Sequence, residues 1–181
     1  MNLTGTILGT GVSTLNAGVY TFNSSAQLTG TLTLDAQGNP NALFVFQIGS
    51  TLTSASLATV NVINGGTTTG VYWDIGSSAT LGTGTIFAGN ILAVTSITLN
   101  TGAEILCGRA FAQNGAVTMD TNTISNNCSG GDFGSERTDF GSDGFSGGAL
   151  PAGEPGTAAL FGIGLIFGLT VKARRLELFR R

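Results

Sequence analysis

Histidine is absent from the 181-residue sequence, and charged residues make up only 9% of it. Residues 1–128 contain a single basic side chain, Arg109, and the first lysine of the chain is Lys172. A nucleic-acid backbone is bound by clustered lysine and arginine. The composition therefore excludes nucleic acid as a partner of this part of the chain.

Groups for catalysis and metal binding are also scarce. Residues 1–128 carry four acidic side chains, Asp35, Asp74, Glu104 and Asp120, and they form no cluster in the sequence. Zinc sites need several Cys, His or carboxylate ligands together, and general acid–base catalysis draws on the same groups. We therefore expect a non-enzymatic protein with no catalytic residue, no metal and no cofactor.

What the sequence does contain is one pattern written three times. Residues 78–83 read SATLGT, residues 96–101 read SITLNT and residues 116–121 read AVTMDT. The copies begin 18 and then 20 residues apart. A supersecondary unit that recurs at about this length predicts a solenoid.

Alternation along a strand divides each copy into inward and outward positions. The apolar Leu81, Leu99 and Met119 are predicted to point inward, and the threonines before them point outward: Thr80, Thr98 and Thr118. A corner residue follows, and the next threonine opens a second row, which holds Thr83, Thr101 and Thr121 and continues to Thr85, Ala103 and Thr123. Stacked strands lie about 4.8 Å apart, so threonine is expected above threonine in both rows. Possible extensions of the first row are Thr31, Thr33, Thr51 and Thr53.

The fold class predicted for residues 1–128 is all-β. β-Branched residues dominate there, and no long amphipathic helix is evident. The alternative is a β-sandwich, because turn signals also recur every 8–12 residues. The repeat of whole threonine patterns favours the solenoid.

The two cysteines, Cys107 and Cys128, are 21 residues apart, which is about one coil. Residues one coil apart are neighbours in a solenoid, and bridged cysteines need Cα atoms within roughly 7 Å. We expect a disulfide between them and an oxidising compartment. The alternative is a pair of buried free thiols.

Composition changes after the solenoid. Residues 129–150 are rich in Gly, Ser and Asp and predict a flexible linker. Residues 157–171 form an uncharged apolar run of 15 residues, and a basic cluster follows at 172–175. As a helix this run would span about 22 Å at ~1.5 Å per residue, short of the ~30 Å of a bilayer core. The basic cluster would stay cytoplasmic, with the β domain on the other side.

The strands carry a specific resemblance. Residues 18–35, 44–53, 76–85, 89–93, 108–112 and 115–124 resemble the large microbial ice-binding (antifreeze) protein family. The resemblance implies a right-handed, discontinuous β-solenoid of triangular cross-section, with one long helix alongside and one flat face that binds ice. Family domains carry further strands and the helix before the segment that matches residues 1–22, so we expect an N-terminally incomplete domain. The start of the chain does not read as a signal peptide.

The tail, residues 151–181, resembles a Pro-Glu-Pro type (PEP-CTERM) C-terminal sorting signal. Its motif reads Gly153, Glu154, Pro155, Gly156 and Thr157, with Gly153 where the signal has its first proline. The short apolar segment and the terminal arginines fit such a signal better than a permanent anchor. The resemblance implies export to the cell surface or medium, through a transient inner-membrane anchor and the sorting machinery.

Two functions remain open for the solenoid. Ice binding would use a flat, uncharged threonine face, and the candidate residues are Thr31, Thr51, Thr53, Thr80, Thr83, Thr85, Thr98, Thr101, Thr118, Thr121 and Thr123. Which of the two rows binds ice is left undecided. Threonine is also simply a good strand residue, so the alternative is a cell-surface or matrix adhesion module. We expect a monomer.

Overall fold

The computed structural model describes residues 1–66 and 68–125, and all regular structure within them is β. Its fifteen strands are β1 (Ile7–Leu8), β2 (Thr14–Asn16), β3 (Gly18–Phe22), β4 (Ala26–Leu28), β5 (Thr31–Asp35), β6 (Leu43–Ile48), β7 (Leu52–Ser54), β8 (Thr59–Ile63), β9 (Gly70–Ile75), β10 (Ala79–Leu81), β11 (Ile86–Ala93), β12 (Ile97–Leu99), β13 (Glu104–Ala112), β14 (Val117–Thr118) and β15 (Thr123–Ser125).

The strands form successive coils with three faces. The first face is the six-stranded sheet β1-β4-β7-β10-β12-β14. The second face contains β2, β5, β8, the first parts of β11 and β13, and β15; the third contains β3, β6, β9 and the second parts of β11 and β13. All of these pairings are parallel. The predicted all-β, solenoid-like fold is therefore confirmed, and the antiparallel pairing typical of a β-sandwich does not occur among these residues.

A bulge lets β11 and β13 turn from the second face to the third without a loop. The register between the two strands shifts between Ala88 and Asn90. Gly89 at this point has φ +101°, and a Cβ there would lie 2.7 Å from the Val71 side chain. A glycine is required because the backbone must take a left-handed conformation in close contact with the coil below.

The interior is filled by one side-chain layer from each face. Behind the third face, the rings of Tyr20, Phe46 and Trp73 stack from coil to coil, with centroids 5.3 Å and 3.9 Å apart. The ring of Phe87, in the first part of β11, makes a tilted contact with Trp73, with centroids 4.8 Å apart. The Trp73 Nε1–H donates to the Ala88 carbonyl at 3.0 Å. Such burial stabilises by about 1.5–3 kcal/mol per large apolar side chain, so the core holds all three faces in fixed positions.

The corner between the first and second faces is stacked as regularly as the strands. One residue in each of four successive corners is left-handed: Leu57 (φ 59°), Gly84 (φ 65°), Gly102 (φ 66°) and Thr121 (φ 53°). The first three bond to the next coil, through Leu57 N to Thr83 O, Gly84 N to Thr101 O and Gly102 N to Asp120 O. The corner therefore turns the chain from the first face to the second by the same geometry in each of these coils.

Several sequence predictions concern residues outside the described ranges. Cys107 is buried and disulfide-bonded, but Cys128 lies outside the described residues, so their pairing stays a prediction. The linker at 129–150 and the sorting segment at 151–181 also lie outside. In the described part, no helix reaches the length and apolarity needed to span a bilayer.

Candidate functional site

The outward positions of the first face form a row of threonines. Strand register places Thr53 beside Thr80, Thr80 beside Thr98, and Thr98 beside Thr118. We call these four residues the threonine row. Thr53 and Thr118 are exposed, and Thr80 and Thr98 are half-buried between their neighbours. The prediction that Thr80, Thr98 and Thr118 align is confirmed, and Thr53 extends them.

A second outward row lies two residues earlier, at the positions immediately before β4, β7, β10 and β12. Ser25, Thr51, Ser78 and Ser96, here called the hydroxyl row, are aligned by backbone bonds from Ala26, Leu52 and Ala79 to the carbonyls of Thr51, Ser78 and Ser96. The Thr51 hydroxyl donates to Ser25 Oγ at 2.8 Å, and the hydroxyls of Ser78 and Ser96 are 3.1 Å apart. The last coil places Ala116 in this row. Sequence reasoning missed the serines, although each of the three stands two residues before Gln27, Thr80 or Thr98.

The side chains beneath these rows are buried and largely aliphatic. Leu52, Ala79 and Ile97 lie between the two rows on the inside, and Leu28, Leu81 and Leu99 lie just beyond them. No acidic or basic residue occurs in either row. The face therefore offers hydroxyls and methyls on a rigid sheet whose strands are about 4.8 Å apart.

Beyond Thr53, the next position along the threonine row is occupied by Gln27, a residue that the sequence analysis missed. Gln27 pairs with Thr53 on one side and with Ile7 on the other. Gln27 and Ile7 are both exposed, and their side chains are longer than that of threonine. The uninterrupted threonine surface thus covers β7, β10, β12 and β14. The signal for this position was the 26-residue spacing from Gln27 to Thr53.

The prediction that Thr83, Thr101 and Thr121 open a second flat face is wrong. Thr83 and Thr101 are exposed, but they lie in the corner after β10 and β12 rather than on a strand. Pairing is offset by 20 residues at Thr98 and Thr118 but by 19 at Glu104 and Thr123. Thr101 consequently lies beside Asp120, to which its hydroxyl donates at 2.5 Å, and Thr121 takes the left-handed position.

Thr85 was predicted to point outward, and this prediction is also wrong. Its side chain is fully buried, as is Ala103 in the same position one coil later. The left-handed Gly84 breaks the two-residue alternation, so counting two residues on from Thr83 leads to the inside of the corner. The Thr85 hydroxyl bonds there to Ser54 Oγ at 2.8 Å and Ala55 O at 3.1 Å.

Thr31, Thr33 and Thr123 belong to the second face, so they do not extend the threonine row. The outward row there consists of Thr31, Thr59, Ile86, Glu104 and Thr123 in register. An adjacent row aligns Thr14, Thr33 and Asn61. A branched apolar residue and a carboxylate interrupt the first of these rows, so the second face has no continuous threonine surface.

The third face is bulky and mixed. Its exposed apolar side chains include Val19, Leu43, Leu92 and Phe111, the last 59% exposed. Asp74 lies between Gln47 and Leu92 in register. This face resembles neither of the other two, and no row of small hydroxyl side chains crosses it.

Among the residues that the structure describes, Asp35 and Tyr20 have perturbed pKa values, and both lie off the first face. The pKa of Asp35, at the end of β5, is lowered by hydrogen bonds from the Asn64 amide and the Gln37 N–H. Burial raises the pKa of Tyr20 in the aromatic stack. No group of three or more metal-ligating side chains occurs in residues 1–66 and 68–125. The chemistry available on the first face is therefore hydrogen bonding and apolar contact alone.

The fold and the site define a class: parallel β-solenoid-like proteins that present one uncharged, threonine-rich sheet face. The chain belongs to the Ice-binding-like family, whose model matches residues 2–125. This match confirms the resemblance seen in the sequence.

Relatives agree with this assignment. The chain is 67% identical over 127 residues to an ice-binding protein of Nostoc sp. (strain HG1), covering 70% of this chain and 46% of that protein. It is 40% identical over 114 residues to ice-binding protein 1 of Shewanella frigidimarina (strain NCIMB 400), covering 62% of this chain and 13% of that protein. The chain thus spans less than half the length of these curated relatives.

Solved structures of ice-binding proteins are also similar to the chain. An ice-binding protein from an Antarctic biological consortium superposes with a TM-score of 0.62 at 43% identity, covering 68% of this chain and 55% of that one. One from the Antarctic ascomycete Antarctomyces psychrotrophicus gives 0.58 at 38% identity, covering 67% and 56%.

Proposed function

We propose that the protein binds ice through the first face. The observation that carries this proposal is the threonine row, which aligns four threonines in register on adjacent strands without interruption. Each threonine offers a hydroxyl that bonds to ordered water and a methyl that restrains the neighbouring water. Regular spacing of about 4.8 Å between strands keeps these groups periodic, as contact with a crystal requires.

The mechanism is adsorption. Buried aliphatic side chains behind Thr53, Thr80 and Thr98 fix the strand positions, so little conformational freedom is lost when the face meets ice. Charged groups, whose hydration is incompatible with an ordered lattice, are absent from the threonine and hydroxyl rows. An adsorbed molecule then prevents the ice front from advancing beneath it and restrains growth or recrystallisation. No chemical step is involved.

The test is thermal hysteresis and ice-crystal shaping by the purified chain. We expect faceted crystals and a gap between melting and freezing points that rises with protein concentration. A control sample unfolded in advance should show neither effect. A folded protein that leaves ice crystals round and shows no hysteresis would contradict the proposal.

The alternative is an adhesion or matrix module without ice activity. Exposed bulky side chains on the third face, such as Val19, Leu43 and Phe111, are the feature that favours it. Such a module would keep its binding when the first face is altered and lose it when Phe111 is replaced. Ice activity that depends on the first face would reject this alternative as the main function.

We further infer that the solenoid is right-handed and triangular in cross-section, and that a disulfide joins Cys107 to Cys128. We also infer that the protein is exported as a monomer and sorted through residues 151–181. The buried, disulfide-bonded state of Cys107 supports the pairing. Mass spectrometry after alkylation, with and without reduction, checks it, and two free thiols would contradict it. Cell fractionation of the chain with and without residues 151–181 tests the sorting signal.

A further inference from the structure

One hydroxyl interrupts the aliphatic lining of the first face. The inward row at the end of its strands contains Leu8, Leu28, Ser54, Leu81 and Leu99 in order. Ser54 is only 4% exposed. A buried hydroxyl destabilises a core unless it is hydrogen-bonded, so its partners decide what Ser54 does.

Ser54 belongs to a hydrogen-bond chain whose direction is fixed. The Gly82 N–H donates to Ser54 Oγ at 2.8 Å, and the Thr85 hydroxyl donates to the Ala55 carbonyl at 3.1 Å. The remaining contact, 2.8 Å between Ser54 Oγ and Thr85 Oγ1, must therefore have Ser54 as donor. Each hydroxyl donates once and accepts once, so the buried network is fully satisfied at these atoms.

This hydrogen-bond chain lies between β7 and β10, at a position where the neighbouring strand pairs have a backbone hydrogen bond. Between β4 and β7, the Ala55 N–H donates to Leu28 O at 2.8 Å, and between β10 and β12, the Asn100 N–H donates to Leu81 O at 3.0 Å. The equivalent donor between β7 and β10 is Gly82, and it bonds to the Ser54 side chain. Backbone pairing at this step covers Thr53 with Thr80 and stops before Ser54.

This step connects Thr53 and Thr80, the first two members of the threonine row. A Cβ on Gly82 would lie 2.8 Å from Ser54 O, so the two backbones approach closely at this point. The hydrogen bonds of the Ser54 side chain thus replace the backbone bond that would join β7 and β10 just beyond Thr53 and Thr80.

We propose that Ser54 and Thr85 are positioning residues for ice binding, which hold Thr53 level with Thr80 from inside the solenoid. This inference rests on the proposed function. It also reverses the expected role of Thr85, which supports the first face from beneath and contacts no ice.

The test compares Thr85→Val with a matched control, Thr69→Val, in the full chain. Thr69 is also fully buried, and its hydroxyl bonds to Gly66 N and Pro40 O in a loop that precedes β9 on the third face. Both variants delete a buried hydroxyl and should lower the melting temperature. We expect only Thr85→Val to lose most of its hysteresis per folded molecule.

Two further variants keep the outcome unambiguous. Thr85→Ser retains the hydroxyl and should retain hysteresis. Ser54→Ala removes the other hydroxyl of the hydrogen-bond chain and should lose hysteresis as Thr85→Val does. Equal hysteresis per folded molecule in Thr85→Val, Ser54→Ala and Thr69→Val, with an active parent, would overturn the positioning role alone. A folded parent without hysteresis would instead contradict the proposed function.

Discussion

The first and second faces are built from the same coils and share one corner, yet their outward rows differ. The first presents threonine on four consecutive strands. In the second, Ile86 and Glu104 separate Thr59 from Thr123 along the row. Strand propensity explains threonine on both, but it does not explain continuity on one. Continuity across coils, rather than threonine content, is what distinguishes the candidate ice-contacting surface.

The largest effect is expected from a substitution in the buried core, which supports both faces. Trp73→Ala deletes the centre of the aromatic stack and its bond to Ala88 O, and we expect a loss of about 3–5 kcal/mol of unfolding free energy. Hysteresis should fall as the folded fraction falls. Denaturant unfolding measures this, with Trp73→Phe as the milder control that keeps a ring. An unchanged midpoint for Trp73→Ala would contradict the account of the core.

An intermediate effect sharpens the contrast by lengthening a row. Gln27→Thr extends the threonine row to five strands in register with Thr53, and we expect higher hysteresis at equal concentration. The matched control is Asn61→Thr, which lengthens the Thr14 and Thr33 row on the second face. An equal gain from both variants would show that threonine content matters and that the face does not.

The smallest effect is that of pH. No side chain of the threonine or hydroxyl rows titrates, so hysteresis should be flat between about pH 5 and 8. The hydrogen bonds from Asn64 and Gln37 lower the pKa of Asp35 in the folded state. Its stabilising contribution is therefore present above the unfolded pKa and is lost as pH falls through the folded pKa.

Melting temperature at acid pH checks this assignment. Asp35→Asn should remove part of the acid-induced decrease and leave hysteresis unchanged. A hysteresis that changes with pH while the protein stays folded would place a titrating group on the active surface, contrary to the structure.

Much of the first face could be predicted because strand alternation holds there without interruption. Counting by two correctly aligned Thr80, Thr98 and Thr118. The same count failed beyond Leu81 and Leu99, because a left-handed residue, Gly84 or Gly102, lies in each corner and moves the following residue to the inside. Position in the sequence alone does not reveal such a corner.

Register at the ends of the solenoid was equally inaccessible to sequence reasoning. In the last corner, the Asn122 amide donates to the carbonyls of Asn100 and Ala103 at 2.7 and 2.9 Å. There the pairing offset also changes by one residue, which places Asp120 beside Thr101. At the other end, Gln27 interrupts the repeated motif, so its place in the row became clear only from its pairing with Thr53.

The central claim is that one face binds ice and its neighbour does not. The most direct test replaces one threonine in the outward row of each face: Thr98→Tyr in the threonine row and Thr59→Tyr between Thr31 and Ile86 on the second face. Both variants should keep the β circular-dichroism signal of the parent. We predict that Thr98→Tyr abolishes ice shaping and hysteresis while Thr59→Tyr retains them. Retained activity in Thr98→Tyr, or its loss in Thr59→Tyr, would contradict the assignment of the face.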